Sequence, residues 1–364
     1  MSHIVIDARI INSSTGTYVK NLLEHLQYED HTNTYTILVP TKDKDYWIPR
    51  NKNFTIKTID IDNYSFREQF SFPSILRQLS PDLVHFCMPQ QPILYRGKTV
   101  TTFHDLTLLH TWNKDKNWLI FHIKQFIGRG VFYKIAHSSS HIICPSKFTR
   151  DELVNFSHIS PQKITVTYEA ATIAPNKDLK EYPLPFGQFL LYIGQQSDYK
   201  NIKRLAAAHQ QLLKTYPQLG LVLAGKKNDA VKINERYFKE KGYTNIVFTD
   251  FIPDNQRNWL YAHCAAYVFP SLMEGFGLPG LEAMGYGAPV ISSNATCLPE
   301  IYGDAALYFD PTRVDNIAET ISRVLENKTL RQSLIKKGYQ QVATYSWEKM
   351  SRETLDVYNV VLKQ

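Results

Sequence analysis

VFPSLMEGFGLPGLEAMGYGAPVIS, residues Val268–Ser292, reads as a strand, a turn and the start of a helix. An apolar run stops at Pro270-Ser271, a glycine-rich turn carries Glu274, and a short helix opens near Pro279 with Glu282 in its first turn. Gly275 and Gly277 let the backbone turn sharply and let a ligand approach amides that side chains would shield. Pro279 suits the first helical position, where its missing N–H costs nothing. A helix that starts there points unpaired N–H groups and the positive end of its dipole beyond the strand, which favours a phosphate. Glu282 would be misplaced against bare phosphate charge, so it is assigned to hydroxyls such as those of ribose. Glu274 suits the hydroxyls of a sugar. The bland alternative, a turn that binds nothing and carries two surface glutamates, is open for a lone Gly-Phe-Gly and loses ground only to the flanking pattern.

Outward from this unit the same alternation repeats. Towards the N-terminus, strand patterns fall at His3–Asp7, Tyr35–Val39, Phe54–Ile59, Leu83–Phe86, Thr99–Phe103, His141–Cys144 and Lys163–Tyr168. Helical spacing separates several of them, as in Tyr18, Val19, Leu22, Leu23 and Leu26 after a turn at Gly16, or across Phe66–Leu79. A second series runs Phe189–Ile193, Leu219–Ala224, Ile246–Phe248, Ala266–Phe269 and Pro289–Ser292. Helices are expected at Gln256–Cys264 and Leu330–Tyr345, and before Ile317, Ile321, Val324 and Leu325, where Thr312–Asp315 has capping-box character. Strand-helix alternation of this kind makes an α/β protein with parallel sheets and crossover helices. The segment from Glu169 to Phe186 is rich in proline and charge and has little periodicity, which marks an interdomain linker.

With 364 residues the chain exceeds what one core usually serves, so two domains are expected. The four cysteines, Cys87, Cys144, Cys264 and Cys297, are scattered without a CxxC pair, the pattern of reduced core residues in a cytoplasmic protein. MSHIVIDARI enters a strand directly, and no uncharged run reaches transmembrane length. A formal net charge of +7 fits anionic partners: nucleotide diphosphates, anionic lipid headgroups or nucleic acid. Nucleic acid is disfavoured, since there is no zinc-finger spacing, RNP-like strand or long Lys/Arg block. Trp118–His137 combines large apolar side chains with Lys124, Arg129 and Lys134 and lacks acids. It reads as a core-facing helix with a solvated basic face. Peripheral contact with an anionic membrane surface, at the inner face of the plasma membrane, stays open beside that reading.

Glu274 and Glu282 form an E-x7-E pair that resembles the donor-site signature of the family-4 type retaining glycosyltransferases with the GT-B fold. The likeness extends from DARIINSSTGTYVKNLL through FHDL and PSKFTRDEL to LPEIYGDAALYFDP and SWEKMSRETLDVY, nearly the whole chain. It implies two Rossmann-like domains whose parallel sheets face each other across a cleft. An N-terminal acceptor-binding domain would span residues 1–170 and a C-terminal donor-binding domain 187–345. Residues 346–364 would return as a helix to the first domain.

The same resemblance implies transfer of a hexose from a nucleoside diphosphate sugar to a glycan or polyprenyl-linked acceptor hydroxyl, with retention and without a metal or other cofactor. The FHDL and KN stretches are most similar to those of mannosyl-transferring members that use GDP-mannose. Asp60 and Asp62 imitate a metal-binding DxD but lie in a charged loop and are assigned to solvent.

Each candidate side chain follows a strand, and the carboxyl ends of parallel strands are where open α/β sheets bind ligands. His104 follows Thr99–Phe103, and the resemblance implies that it sits near the acceptor and the reacting carbon. Lys200 enters the helix after Phe189–Ile193, where a lysine neutralises a diphosphate. With Glu274 these are the catalytic candidates. Gly16, Gly225, Lys226, Ile252, Gly275, Phe276, Gly277, Leu278 and Glu282 are donor-binding candidates. Many relatives carry an arginine in the loop before this lysine; here the loop is Gly194-Gln195-Gln196-Ser197-Asp198-Tyr199, and Arg204, one helical turn beyond Lys200, is expected to substitute. Glycoside hydrolysis by the two glutamates is rejected, because both come from one loop-helix unit and cannot flank a bond. Loss of the loop arginine keeps open a non-catalytic nucleotide-sugar binder, and a basic membrane or nucleic-acid scaffold is a third reading.

Overall fold

The computed structural model describes residues 1–110, 118–174 and 179–364, with all side chains except those of residues 110 and 118–124. Lys124 of the basic segment and residues 175–178 of the expected linker lie outside that description. The chain forms two compact units, residues 1–169 with 346–364, and residues 170–345.

The first unit contains β1 (His3–Asp7), α1 (Gly16–Glu29), β2 (Thr34–Val39), β3 (Phe54–Thr58), α2 (Phe66–Phe70), α3 (Phe72–Leu79) and β4 (Leu83–Phe86). It continues through β5 (Thr99–Thr102), α4 (Thr107–His110), α5 (Trp118–Ser138), β6 (His141–Cys144), α6 (Lys147–Ser157) and β7 (Ile164–Val166). The strands form one parallel sheet in the order β3-β2-β1-β4-β5-β6-β7. Ile4, Val5, Ile6, Val84, Phe86 and Val100 are fully buried, as expected for strands covered on both faces. Phe132, Ile135 and Ala136 turn the far half of α5 into a core shared with Phe103, Leu106 and Leu109. Its outer face exposes Phe126, Ile127 and Tyr133 beside Arg129 and Lys134.

The second unit contains β8 (Gln188–Ile193), α7 (Ile202–Leu212), β9 (Leu219–Ala224), α8 (Asp229–Glu240), β10 (Ile246–Phe248), α9 (Asp254–His263) and β11 (Ala266–Phe269). It ends with α10 (Leu278–Gly285), β12 (Val290–Ser293), α11 (Leu298–Tyr302), β13 (Ala306–Phe309), α12 (Val314–Glu326) and α13 (Lys328–Val342). Its parallel sheet has the order β10-β9-β8-β11-β12-β13. That is the doubly wound pattern in which the order reverses between the first and fourth strands, here β8 and β11.

The last helix, α14 (Trp347–Lys363), belongs to the first unit. The Ser346 hydroxyl caps it by accepting from the Lys349 N–H, one of the donors that a helix start leaves unpaired. Trp347, Met350, Thr354, Val357, Tyr358 and Val361 repeat every three or four residues and bury one face against α1 and the sheet. Tyr358 also donates to or accepts from His85 Nδ1 inside the core.

Two local expectations fail, and a third gains detail. The proline-rich stretch does join the two units, and its described residues pack on the second. The Ala174 N–H donates to the Tyr286 hydroxyl, the Lys180 N–H to the Asn255 carbonyl, and Phe186 lies over Gly220. Irregular backbone pairs here with whatever donors and acceptors the globule offers. Thr312 does not cap α12, whose N-cap is Arg313 with no side-chain bond; the Thr312 hydroxyl is turned back to Asp310 at 2.6 Å. Glu282 lies beyond the first turn of α10, because the helix opens one residue before Pro279.

Candidate active site

In the second unit the carboxyl ends of β8, β9 and β11 converge at the point where strand order reverses. Gly194 and Gly225 end β8 and β9 with φ of 146° and 157°, and a Cβ on Gly225 would lie 2.4 Å from the Gly194 carbonyl oxygen. The two loops therefore touch backbone to backbone, which only glycine permits. Beyond Gly194 the chain makes a short turn, Asp198–Lys200, and Asn201 follows in the left-handed region. The Asn201 amide donates to the carbonyls of Pro270 at 3.0 Å and Pro311 at 2.7 Å, tying this loop to those after β11 and β13. Leu272 N–H adds a bond to the Tyr199 carbonyl.

These ties bring Lys200 to Glu274. Nζ lies 2.6 Å from Oε1, and each side chain keeps about a seventh of its surface exposed, 14% and 13%. Burial alone would lower the pKa of the Lys200 ammonium, but the Glu274 carboxylate, with Tyr192 and Tyr199, more than reverses this and the net shift is upward. The lysine is thus a fixed positive charge at the strand end.

The turn between Glu274 and α10 is shaped from below by Tyr302. Its hydroxyl bonds to the Gly277 carbonyl, and a Cβ on Gly277 or Gly280 would lie 2.5 or 2.4 Å from that oxygen. Gly277 has φ of 96°. Phe276 is buried, with its ring against Tyr345, so only its backbone is left for a ligand. Leu278 and Pro279 open α10. On that helix Glu282 Oε2 accepts from the Tyr261 hydroxyl at 3.0 Å. Burial raises the Glu282 carboxyl above its ordinary value despite the opposing pull of Arg257 and Tyr261.

Other candidates spread along the same edge. Lys226 is exposed after β9 and Ile252 half-buried after β10. The Arg204 guanidinium donates to Asn201 Oδ1 at 2.8 Å, on the exposed side of α7. One helical turn fixes an angle around the axis, but the chain reverses at Asn201, so Lys200 is outside that helix. Lys203 pairs with Asp198 at 3.4 Å.

In the first unit the reversal point lies between β1 and β4. Gly16 is required by its own loop, because a Cβ there would lie 2.0 Å from the Ile11 carbonyl oxygen. Asp7, at the end of β1, pairs with Arg9 at 2.7 Å, and Arg9 pairs with Glu68 at 2.8 Å; all three are buried. Arg9 also donates to the Ile61 carbonyl and lies over the Phe72 ring. His104 follows β5, with Nε2 2.9 Å from the Cys87 carbonyl and Nδ1 3.3 Å from Glu169 Oε1. Asp105 accepts from the Thr107 N–H. Asp60 is occupied by the Thr41 N–H and hydroxyl.

Sequence reasoning did not find Arg9, Glu68, Glu169, Asn201 or Tyr302. Asp7-Ala8-Arg9 directly after the first strand was a visible signal of paired charge. The others come from distant stretches and have no local pattern.

Comparisons with known proteins bear on the family and the fold. The model for glycosyl transferases group 1 matches residues 182–341, and that for Glycosyltransferase Family 4 matches residues 15–171. The O-antigen chain mannosyltransferase B of Escherichia coli is 31% identical over 277 residues, 72% of this chain and 71% of that protein. Among solved structures, a sucrose-phosphate synthase from Thermosynechococcus elongatus superposes with a TM-score of 0.76 at 19% identity over the whole of both chains. The Anabaena protein HepE, solved with UDP-glucose, gives 0.73 at 16% identity over 98% of this chain and 100% of its own.

Proposed function

The chain belongs to the family-4 and group 1 glycosyltransferases, and from that premise we propose that it transfers mannose, with retention, from GDP-mannose to a hydroxyl of a glycan or polyprenyl-linked acceptor. The observation that carries this reading is the Lys200–Glu274 pair, held at the strand-order reversal beside the opening of α10. A departing diphosphate accumulates negative charge, and a fixed ammonium with a helix N-terminus stabilises it where water is partly excluded. Glu274 would exchange its contact with Lys200 for donor-sugar hydroxyls, freeing the ammonium for phosphate. Glu282 would hold ribose, and the backbone at Gly275–Leu278 would meet the diphosphate. Gly225, Lys226 and Ile252 lie where the base would rest.

The second unit is thus the donor domain. In the first, the acceptor domain, His104 would meet acceptor or donor-sugar oxygens. Gly16 serves its loop's own close approach. Arg204 would act only by holding Asn201. The diphosphate itself would assist deprotonation of the acceptor, so the reaction would need no metal. Mannose rather than another hexose rests on the likeness to the Escherichia coli mannosyltransferase and on the FHDL and KN stretches.

No helix among the described residues is long and apolar enough to cross a membrane. The aromatic and basic outer face of α5 suits peripheral contact with anionic lipid. Flotation with anionic liposomes tests this, and protein that stays at the bottom of the gradient would refute it.

The test of activity is a panel of radiolabelled nucleoside diphosphate sugars with thermal shift, slow donor hydrolysis and transfer as readouts. Donor-dependent transfer or hydrolysis, strongest with GDP-mannose, is expected. Binding without either would make the chain a sugar-nucleotide binder, and absence of binding would refute the donor site.

A further inference from the structure

Glu169 is a buried carboxylate to which the transfer chemistry above gives no task. It is the last residue of the first unit and follows β7, while His104 follows β5 and Cys87 follows β4. Three strand ends therefore meet at one imidazole. The Cys87 carbonyl lies 2.9 Å from Nε2 and Glu169 Oε1 lies 3.3 Å from Nδ1. The side chains of His104 and Glu169 are 15% and 7% exposed.

A carbonyl oxygen only accepts, so Nε2 carries hydrogen. Taken as ionised, Glu169 also only accepts, and the Nδ1 contact then closes with hydrogen on that nitrogen too. The ring is clamped from a third side by Tyr18, whose ring centroid lies 4.7 Å away at a steep angle. Tyr18 is itself fixed through Thr102 at 3.0 Å, and Thr102 through His85 at 2.8 Å.

We propose that Glu169 is a positioning residue that holds His104 as a doubly protonated, cationic imidazole, so that His104 acts as a hydrogen-bond donor and fixed charge and not as the base for the acceptor hydroxyl. The proposal rests on the glycosyl-transfer reading for its consequence, but its geometry stands without it. A ring with hydrogen on both nitrogens has no lone pair for the acceptor's proton. It can give its Nε2 hydrogen to a substrate oxygen in place of the Cys87 carbonyl, and its charge then offsets negative charge that develops there. The acceptor's proton must go elsewhere, in keeping with a departing diphosphate that receives it.

The experiment is nitrogen NMR of the full chain labelled with ring-15N histidine, with the His104→Gln spectrum used to identify the signal. At pH 7 and without substrate, the wild type is expected to show both His104 nitrogens protonated. Glu169→Gln should return one nitrogen to the unprotonated form and lower kcat roughly 10- to 100-fold, the range for loss of one hydrogen bond to a charged group, while the donor KM changes less than about twofold. Glu169→Asp should restore part of both signals. An unprotonated Nδ1 in the wild type, or an identical ring spectrum in Glu169→Gln, would overturn the proposal. The wild-type spectrum decides even if the variants fold poorly. Because the NMR needs no donor, a protein that transfers no sugar would defeat the functional reading and leave this test intact.

Discussion

The two sheets share one strand order through their first six members, yet their carboxyl edges carry charge differently. In the first unit Arg9 pairs with both Asp7 and Glu68, and all three are buried. In the second, Lys200 and Glu274 form a pair that still touches solvent, beside backbone turns kept bare by Gly194, Gly225 and Gly277. A closed charge network orders the protein, whereas a pair with one open side is ready to exchange its partner for a ligand. The topology therefore offers a crevice in both units, and side chains decide which one keeps a charge pair open to solvent.

The largest effect should come from breaking the closed network. Arg9→Met leaves two buried carboxylates without their cation and is expected to cost about 3–5 kcal/mol in urea unfolding. A cost near zero would mean that the network is not closed. Next, Lys200→Ala should reduce transfer by about 10²–10³-fold, with a smaller loss of stability than Arg9→Met. Equal turnover would remove the open pair from the chemistry.

Glu282→Gln sharpens the contrast within the second unit. Burial raises the folded pKa of this carboxyl, so its contribution to stability is complete below the unfolded value and is lost as pH rises through the folded one. The variant should melt higher than wild type at pH 7.5 and match it below about pH 4, the unfolded glutamate range, while binding donor more weakly. A variant that melts lower at pH 7.5 would contradict the burial argument. Arg204→Ala should have the smallest effect, less than roughly threefold on turnover, because its guanidinium reaches the site only through Asn201. A loss as large as that of Lys200→Ala would restore it to the diphosphate.

Much of the fold was legible because parallel strands buried on both faces leave continuous apolar runs, as in Leu219–Ala224, and because helices such as α14 repeat their apolar positions. Boundaries shifted where the tertiary structure supplied partners: Ser346 caps its helix as local chemistry predicts, while Thr312 is drawn off by Asp310. In the candidate site, the glycine turn and its glutamates were visible because a strand, a glycine-rich turn and a helix start make a local pattern. Tyr302 beneath that turn, Asn201 across three loops and Glu169 behind His104 were not, since each works through contacts between residues distant in sequence. Lys200 and Arg204 are separated by the left-handed Asn201, so helical spacing alone does not relate them.

Hydrogen exchange with and without GDP and GDP-mannose tests the central claim most directly, because it reads every backbone segment in the intact chain. Slowed exchange is predicted in residues 194–201, 225–228 and 273–282, with the segments around Asp7, Arg9 and Glu68 unchanged by GDP. Protection by GDP confined to residues 1–169 would contradict the assignment of the open charge pair to the diphosphate.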